Sequence, residues 1–286
     1  SDTHIIEPPD LWSSRVDPKY RDTCPRVVDI EGKELWIVEN LITGQTTIRQ
    51  GAHAGFRFDD RKEQLLEMAS SEDVRPGGYD PDEAIKDYDL DGVDVAVIYP
   101  TEAFGIYHEC RSTPLLTEIF RVYNDFLSEF CSAHPERLKG IGMINIDNVQ
   151  DGIKEMERCK KLGMVGIGIP VFNHRLRYNS PVFEPLWDAA EDLDLPISLH
   201  INTNRPQDHE EFGLAGVAVA PLFFVAGDYW PKLSLADMIL SGVFDRHPKM
   251  RVSVVEYEIA WAANFIQRLD YHYDQSSAGL GGYRFK

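Results

Sequence analysis

The chain has 286 residues, 43% of them hydrophobic and 27% charged, which is enough to bury the core of one large domain or two smaller ones. Its 47 acidic residues outnumber its 29 basic residues and give a formal net charge of −18. This balance argues against nucleic acid or an anionic membrane surface as a partner, because both attract clustered positive charge.

The longest apolar runs, residues 93–99 and 217–226, are shorter than the roughly 20 residues that a membrane helix needs. The opening residues do not have the pattern of a signal peptide, so none is expected. The four cysteines lie far apart and form no Cys-x-x-Cys pair, which is typical of reduced thiols. We therefore expect a cytoplasmic protein that does not bind membranes.

The chain opens with the sequence Asp-Thr-His-Ile-Ile-Glu-Pro at residues 2–8. A strand directs residues i and i+2 to the same side, so Asp2 and His4 would form a two-ligand metal clip at a strand end. An Asp-x-His pair is common by chance, and exposed terminal residues are the simpler interpretation unless other ligands follow.

Residues 20–79 are predicted to form a small β insertion and loop after the first strand. Two β-rich runs, 27–30 and 35–38, flank a polar turn that contains Gly32, which indicates a hairpin. Residues 50–60 are expected to form a mobile loop or a lid.

From Asp80 onward, helices and strands alternate. Asp80 and Pro81 begin the first helix, because Asp is a favoured N-cap and proline a favoured first helical residue. Further strands are predicted at residues 93–100, 138–146, 164–170, 197–201 and 250–256, and helices at 81–90, 113–133, 149–161, 182–193, 233–244 and 260–273. This alternation predicts right-handed βαβ crossovers and a parallel sheet.

The pattern favours an α/β fold of the (β/α)₈ TIM-like barrel type over a doubly wound sheet. No Gly-x-Gly-x-x-Gly turn follows the first strand, and polar residues end the strands on the face where a barrel gathers its active site. Counting the opening segment, we find six strands, whereas a barrel needs eight. We therefore expect one incomplete barrel domain over residues 1–286, with strands 1–6 present and strands 7 and 8 beyond Lys286.

His200 and Glu256 are the strongest candidates after the opening pair. A lone histidine at a strand end is usually structural, but the pair Asp2 and His4 in the same βαβ series favours a metal ligand. Three ligands from two strand ends, with one open position, are the usual layout of catalytic zinc. A carboxylate at a barrel mouth is costly unless it is hydrogen-bonded or bound to a cation, which favours Glu256 as a general base or as a ligand.

Weaker candidates lie on loops of the same face. His108, Arg175 and Arg205 are predicted to bind substrate, since arginine can clamp a carboxylate. His134 and His247 precede prolines in helix-to-strand connections and are predicted to be structural. Nucleophilic hydrolysis has little support, because there is no Gly-x-Ser-x-Gly elbow and no cysteine next to a histidine.

Four features of the sequence are considered together. They are the opening Asp-x-His-x-x-Glu-Pro, the strand that ends in His200, the run Ser-Gly-Val-Phe-Asp-Arg-His-Pro-Lys at residues 241–249, and Trp261 with Arg268-Leu269-Asp270. Together they resemble the amidohydrolase superfamily, in the branch of aminocarboxymuconate-semialdehyde decarboxylase and its hydrolase relatives. The resemblance covers nearly the whole chain except the insertion.

This resemblance implies a distorted (β/α)₈ barrel with one divalent metal, usually zinc and sometimes manganese or iron. The implied ligands are Asp2, His4, His200 and an aspartate of strand eight, which is absent from this chain. The family often has His or Glu where Asp2 stands, and its decarboxylases usually have His where Glu256 stands. A carboxylate there suits a base for hydrolysis or a ligand of a second metal.

Three functional hypotheses follow. The first is a metal-dependent hydrolase in which Glu256 or the strand-eight aspartate deprotonates a metal-activated water that attacks an amide, ester or thioester of a small organic acid. The second is a non-oxidative, metal-dependent decarboxylase of an aromatic or muconate-type acid. The third is a non-catalytic or incomplete relative. For an enzyme, His200 and Glu256 are the expected catalytic residues, the partner is a small-molecule substrate, and we expect a homodimer.

Overall fold

The computed structural model describes residues 2–31, 33–45, 74–173, 175–205 and 225–276. The chain divides into two compact units. The first comprises Ser1–Asn145 and Arg158–Gly166, and the second comprises Ile146–Glu157 and Ile167–Lys286. Within the described ranges, every helix is too short or too polar to cross a membrane.

The described elements alternate between strands and helices over most of the chain. The strands are β1 (Asp2–His4), β2 (Arg26–Ile30), β3 (Lys33–Val38), β4 (Leu41–Gln45), β5 (Ala96–Tyr99), β6 (Leu138–Met143), β7 (Gly166–Ile169), β8 (Ile197–His200) and β9 (Val252–Val255). The helices are α1 (Leu11–Arg15), α2 (Pro81–Asp91), α3 (Glu102–Glu109), α4 (Thr113–Ser132), α5 (Val149–Lys161), α6 (Glu184–Asp192), α7 (Tyr229–Leu240), α8 (Val243–Arg246) and α9 (Ala260–Ser276). Short 3₁₀ helices cover Pro18–Tyr20, Pro76–Gly78 and Pro181–Phe183.

Parallel strand pairs form the scaffold of each unit. In the first unit, β1 pairs with β5 so that His4 lies opposite Tyr99, and β5 pairs with β6. In the second unit, β8 pairs with both β7 and β9, and His200 lies opposite Val255. Parallel neighbours need a crossover connection, which the intervening helices supply. The predicted α/β class with parallel strands is confirmed.

The predicted β insertion contains a three-stranded antiparallel sheet in the order β2, β3, β4. The hairpin of the first two strands matches the prediction, and β4 is an additional strand. Trp36 of β3 packs edge-on against Trp12, with ring centroids 5.3 Å apart, and the indole N–H of Trp12 donates to the carbonyl of Ile119 at 3.0 Å. The predicted loop at residues 50–60 lies outside the described residues.

Two helical segments differ from the sequence prediction. The sequence places His108 on a loop, but this residue lies in helix α3. The single helix predicted at 233–244 is two helices, because Gly242 adopts a left-handed backbone conformation (φ 72°) that ends the first and precedes the second.

The core of the first unit leaves no room beside Gly140 of β6. A methyl group built at Gly140 would lie 2.8 Å from the sulfur of Met164 and 2.9 Å from Cγ of Leu127. Added volume in such a site forces neighbours out of their preferred rotamers. Gly105 of α3, by contrast, has open space around its side-chain position.

We predict that Gly140→Ala lowers the free energy of unfolding by about 1–3 kcal/mol through overpacking. The matched control, Gly105→Ala, is expected to raise it by about 0.5–1 kcal/mol, because alanine loses less backbone entropy than glycine in a helix. Urea unfolding of both variants measures the two changes. Equal stability of the Gly140 variant and the wild type would show that the core accommodates the methyl group.

Candidate metal centre

The first unit supplies a carboxylate and an imidazole from one strand, Asp2 and His4 of β1. The half-buried His4 places its Nδ1 at 2.8 Å from the carbonyl oxygen of Pro100. A carbonyl oxygen only accepts hydrogen bonds, so the Nδ1 of His4 carries the proton and Nε2 keeps its lone pair. Metal-binding histidines in proteins are usually held in this way, by a hydrogen bond from the other ring nitrogen.

Neighbouring groups fix the orientation of the His4 ring. The backbone N–H of Ile5 donates to the carbonyl of Tyr99 at 3.0 Å, which continues the pairing of β1 with β5. The aromatic rings of Tyr99 and Phe104 lie 6.2 and 6.0 Å from the imidazole, centroid to centroid. The imidazole is therefore held from its edge by a hydrogen bond and from its sides by aromatic rings.

A third residue of the opening motif, Glu7, is fully buried at 1% exposure. Its carboxylate accepts the backbone N–H groups of Thr101, Glu102 and Ala103 at 3.3, 2.9 and 3.0 Å. Burial raises the pKa of the Glu7 carboxyl, and these backbone N–H groups oppose the rise. The sequence analysis assigned Glu7 no role, and its only signal was its place in the opening motif Asp-x-His-x-x-Glu-Pro.

The second unit has an imidazole and a carboxylate of its own at neighbouring strand ends, His200 and Glu256. His200 ends β8 with 1% exposure, and its Nδ1 lies 2.8 Å from the carbonyl oxygen of Ile201, which again leaves the lone pair on Nε2. The distance from this Nε2 to the nearer carboxylate oxygen of Glu256 is 3.5 Å. Two ligands that each lie about 2.1 Å from a tetrahedral metal ion are about 3.4 Å apart. The spacing of His200 and Glu256 therefore fits two ligands of one ion.

Glu256 directly follows β9 and has a left-handed backbone conformation (φ 61°), which is rare for a residue other than glycine. Such strain persists where the surrounding structure demands it and is frequent at functional sites. Two hydrogen-bond acceptors, the Nε2 lone pair and the carboxylate oxygen, face each other at 3.5 Å. A metal cation or a proton between them removes their repulsion, so the donor set fits a divalent cation.

The loop after His200 is tied down by side-chain hydrogen bonds. The Thr203 hydroxyl donates to the His200 carbonyl at 2.7 Å and accepts the N–H of Val171 at 2.8 Å. The buried Arg205 pairs with Asp147 at 3.1 Å. These contacts hold the residues that follow β7 and β8 in the second unit.

The other predicted site residues are placed as follows. Arg175 is exposed, and its backbone N–H donates to the side chain of Asn173 at 3.1 Å. His108 lies in α3, and its side chain is outside what the structure describes. His134 contacts Asp82 at 2.7 Å and His247 contacts Glu184 at 2.9 Å, contacts that agree with the structural roles predicted for these histidines.

The amino-acid sequence matches the family described as Amidohydrolase over residues 35–278. Gamma-resorcylate decarboxylase of Rhizobium sp. (strain MTP-10005) is 28% identical over 142 residues, which cover 47% of this chain and 43% of that protein. The 2-amino-3-carboxymuconate-6-semialdehyde decarboxylase of Dictyostelium discoideum is 24% identical over 180 residues, which cover 61% of this chain and 46% of that protein. The chain thus spans less than half the length of these two relatives.

Solved structures show a similar fold. An amidohydrolase from Mycobacterium avium subsp. paratuberculosis K-10 has a TM-score of 0.76 at 15% identity, and the match covers 99% of this chain and 77% of that chain. A 5-carboxyvanillate decarboxylase from Novosphingobium aromaticivorans DSM 12444, complexed with manganese and 4-hydroxy-3-methoxy-5-nitrobenzoic acid, has a TM-score of 0.63 at 19% identity. That match covers 100% of this chain and 72% of the other.

We predict that His200→Ala weakens the binding of Mn²⁺ or Zn²⁺ at least 100-fold, because it removes a buried imidazole ligand whose other nitrogen is already fixed. His134→Ala is the matched control, since His134 pairs with a carboxylate at the surface of the first unit. Isothermal titration calorimetry, with Mn²⁺ or Zn²⁺ added to the metal-free proteins, measures the metal affinities. Unchanged affinity in the His200 variant would exclude this residue as a ligand.

Proposed function

Because the chain belongs to the amidohydrolase family, we propose that it is a divalent-metal-dependent, non-oxidative decarboxylase of a small aromatic acid. The named activities of its relatives support this proposal: gamma-resorcylate decarboxylase, 2-amino-3-carboxymuconate-6-semialdehyde decarboxylase and 5-carboxyvanillate decarboxylase. The superfamily resemblance inferred from the sequence is confirmed. The first hypothesis, a hydrolase, is not confirmed, and the decarboxylase alternative fits the relatives better.

The proposed metal dependence is supported by a hydrogen-bonding pattern that the two histidines have in common. His4 and His200 each direct Nδ1 at a backbone carbonyl and keep Nε2 for a cation. We propose that the ligands predicted from the sequence, Asp2 and His4 of β1 and His200 of β8, bind the cation. Glu256, whose carboxylate lies 3.5 Å from Nε2 of His200, is assigned as the acid beside them.

Manganese is the metal that we propose for these ligands. A carboxylate and two imidazoles suit Mn²⁺ as well as Zn²⁺, and manganese accompanies the 5-carboxyvanillate decarboxylase named above. The zinc predicted from the sequence is therefore the alternative, and iron is a further one. A second metal ion, for which Glu256 is a possible ligand, stays a prediction.

A bound divalent cation would supply positive charge that orients the oxygen atoms of an acidic substrate and stabilises developing negative charge. In the reaction, the bond between the ring carbon and the carboxylate breaks, carbon dioxide leaves, and the electron pair stays on the ring carbon. A proton then replaces the carboxylate on that carbon. We assign its delivery to the carboxyl group of Glu256, which at 47% exposure can take up another proton from water.

The remaining parts of the sequence prediction stay proposals. Arg205 is the best supported of the three substrate-binding candidates, because its guanidinium is buried in the loop that follows His200. His108 and Arg175 stay predictions. So do the eight-stranded closure of the barrel and the homodimer.

We expect the manganese-loaded protein to release carbon dioxide from 2,6-dihydroxybenzoate or 5-carboxyvanillate. In heavy water, the phenolic product should carry one deuterium at the carbon that lost the carboxylate. EDTA should abolish the activity, and added Mn²⁺ should restore it. Methyl esters of the same acids are the control: release of methanol without carbon dioxide from the acids would establish a hydrolase instead.

The role of Glu256 is tested by Glu256→Gln. If Glu256 delivers the proton, this variant should bind Mn²⁺ normally and decarboxylate about 10²–10⁴-fold more slowly, since general acid catalysis contributes that factor. Glu258→Gln is the matched control, because Glu258 is also exposed and left-handed in backbone conformation (φ 60°). Loss of metal in the Glu256 variant would make this residue a ligand and contradict its assignment as proton donor.

A further inference from the structure

The amino end of helix α3 is capped by a carboxylate that is distant in sequence. The first N–H groups of a helix have no partner within the helix and usually bind the side chain of the N-cap residue. Thr101, the N-cap of α3, makes no such bond, and its buried hydroxyl has no hydrogen-bond partner among the described residues. The carboxylate of Glu7 instead accepts three consecutive N–H groups, from Thr101 to Ala103.

One peptide group connects this cap to the candidate ligand His4. The peptide between Pro100 and Thr101 accepts the Nδ1 proton of His4 on its carbonyl oxygen, at 2.8 Å. Its N–H, on the opposite side of the same plane, donates to Glu7 at 3.3 Å. Glu7 and His4 therefore hold the two ends of a single rigid dipole.

Hydrogen bonds arranged in such a chain strengthen one another. A negative charge on Glu7 polarises the peptide, so that its carbonyl becomes a better acceptor for the Nδ1 proton of His4. A better acceptor at Nδ1 makes the opposite nitrogen, Nε2, a better electron donor, as a carboxylate does when it contacts a metal-bound histidine directly.

We propose that Glu7 is a positioning residue for the metal ligand His4, acting through the peptide between Pro100 and Thr101. Its buried carboxylate fixes the direction of the Pro100 carbonyl and thereby the tautomer and orientation of the imidazole. This inference rests on the proposed metal dependence. It adds a residue that binds neither metal nor substrate.

The test compares Glu7→Gln with Asp80→Asn. Both replace a helix-capping carboxylate of the first unit by its amide, since Asp80 accepts the N–H groups of Asp82 and Glu83 at 2.9 and 3.2 Å. Both should lower the stability of the metal-free protein, by an amount that urea unfolding measures. Only Glu7→Gln should weaken Mn²⁺ binding, by about 10-fold, the lower end of the range for groups behind a ligand.

A second readout does not depend on the metal. Nitrogen-15 NMR of the metal-free protein reports which nitrogen of His4 carries the proton, and we expect Nδ1 in the wild type and a mixture of tautomers in Glu7→Gln. If Glu7→Gln does not fold, Glu7→Asp keeps the charge but withdraws the oxygens by roughly 1.5 Å, the length of one carbon–carbon bond. Glu7→Asp is then expected to show the same weaker Mn²⁺ binding and the same mixture of His4 tautomers.

The outcomes separate this inference from the proposed function. Wild-type protein that binds no metal would overturn the proposed function, while the tautomer of His4 would still test Glu7. Wild-type metal affinity and an unchanged tautomer in a folded Glu7 variant would overturn the positioning role. If Asp80→Asn weakened Mn²⁺ binding as much as Glu7→Gln does, the effect would come from a general loss of stability. That result would also overturn the positioning role of Glu7.

Discussion

Each histidine of the candidate metal centre depends on a hydrogen bond from Nδ1 to a backbone carbonyl. For His4 the carbonyl belongs to Pro100, which directly follows the neighbouring parallel strand, and for His200 it belongs to Ile201, the next residue. These bonds leave the Nε2 lone pair available without rotation of either ring. Parallel strands of the same unit hold each imidazole at a carboxyl end, the edge where barrel enzymes place their chemistry. The ends of the parallel strands therefore position the two histidines that we propose as metal ligands.

Patterns that are local in sequence predicted most of the described elements. The apolar run that ends at His200 indicated a buried strand, which the structure shows as β8. The prediction that His200 is a metal ligand came from the pair Asp2 and His4 in the same βαβ series and stays a prediction. The N-cap Asp80 and the following proline marked the start of α2, where the structure shows the Asp80 side chain accepting two backbone N–H groups. An apolar strand and a helix N-cap each depend only on residues that are adjacent in the chain, so both can be recognised in a single sequence.

Interactions between distant residues account for what the sequence did not indicate. The stretch Glu102–Glu109 contains a glycine and follows a proline, and its own N-cap residue makes no capping bond, so local rules favour a loop. Its helix is completed by Glu7, whose carboxylate lies 94–96 residues earlier in the chain. The same absence of local information concealed the role of Glu7, because a buried carboxylate and an exposed one look identical in a sequence.

The chemical type of Glu256 does not by itself separate hydrolysis from decarboxylation. A carboxyl group can take a proton from water or give one to a ring carbon, and its protonation state at the moment of reaction decides which. Decarboxylation consumes one proton for each carbon dioxide released, so its acid must be recharged after every cycle. Glu256 is half exposed, so its carboxyl group can be reprotonated from solvent. The same group lies 3.5 Å from the buried Nε2 of His200, so it can deliver a proton next to that residue. The carboxylate that first suggested a hydrolase is therefore compatible with the proposed decarboxylase.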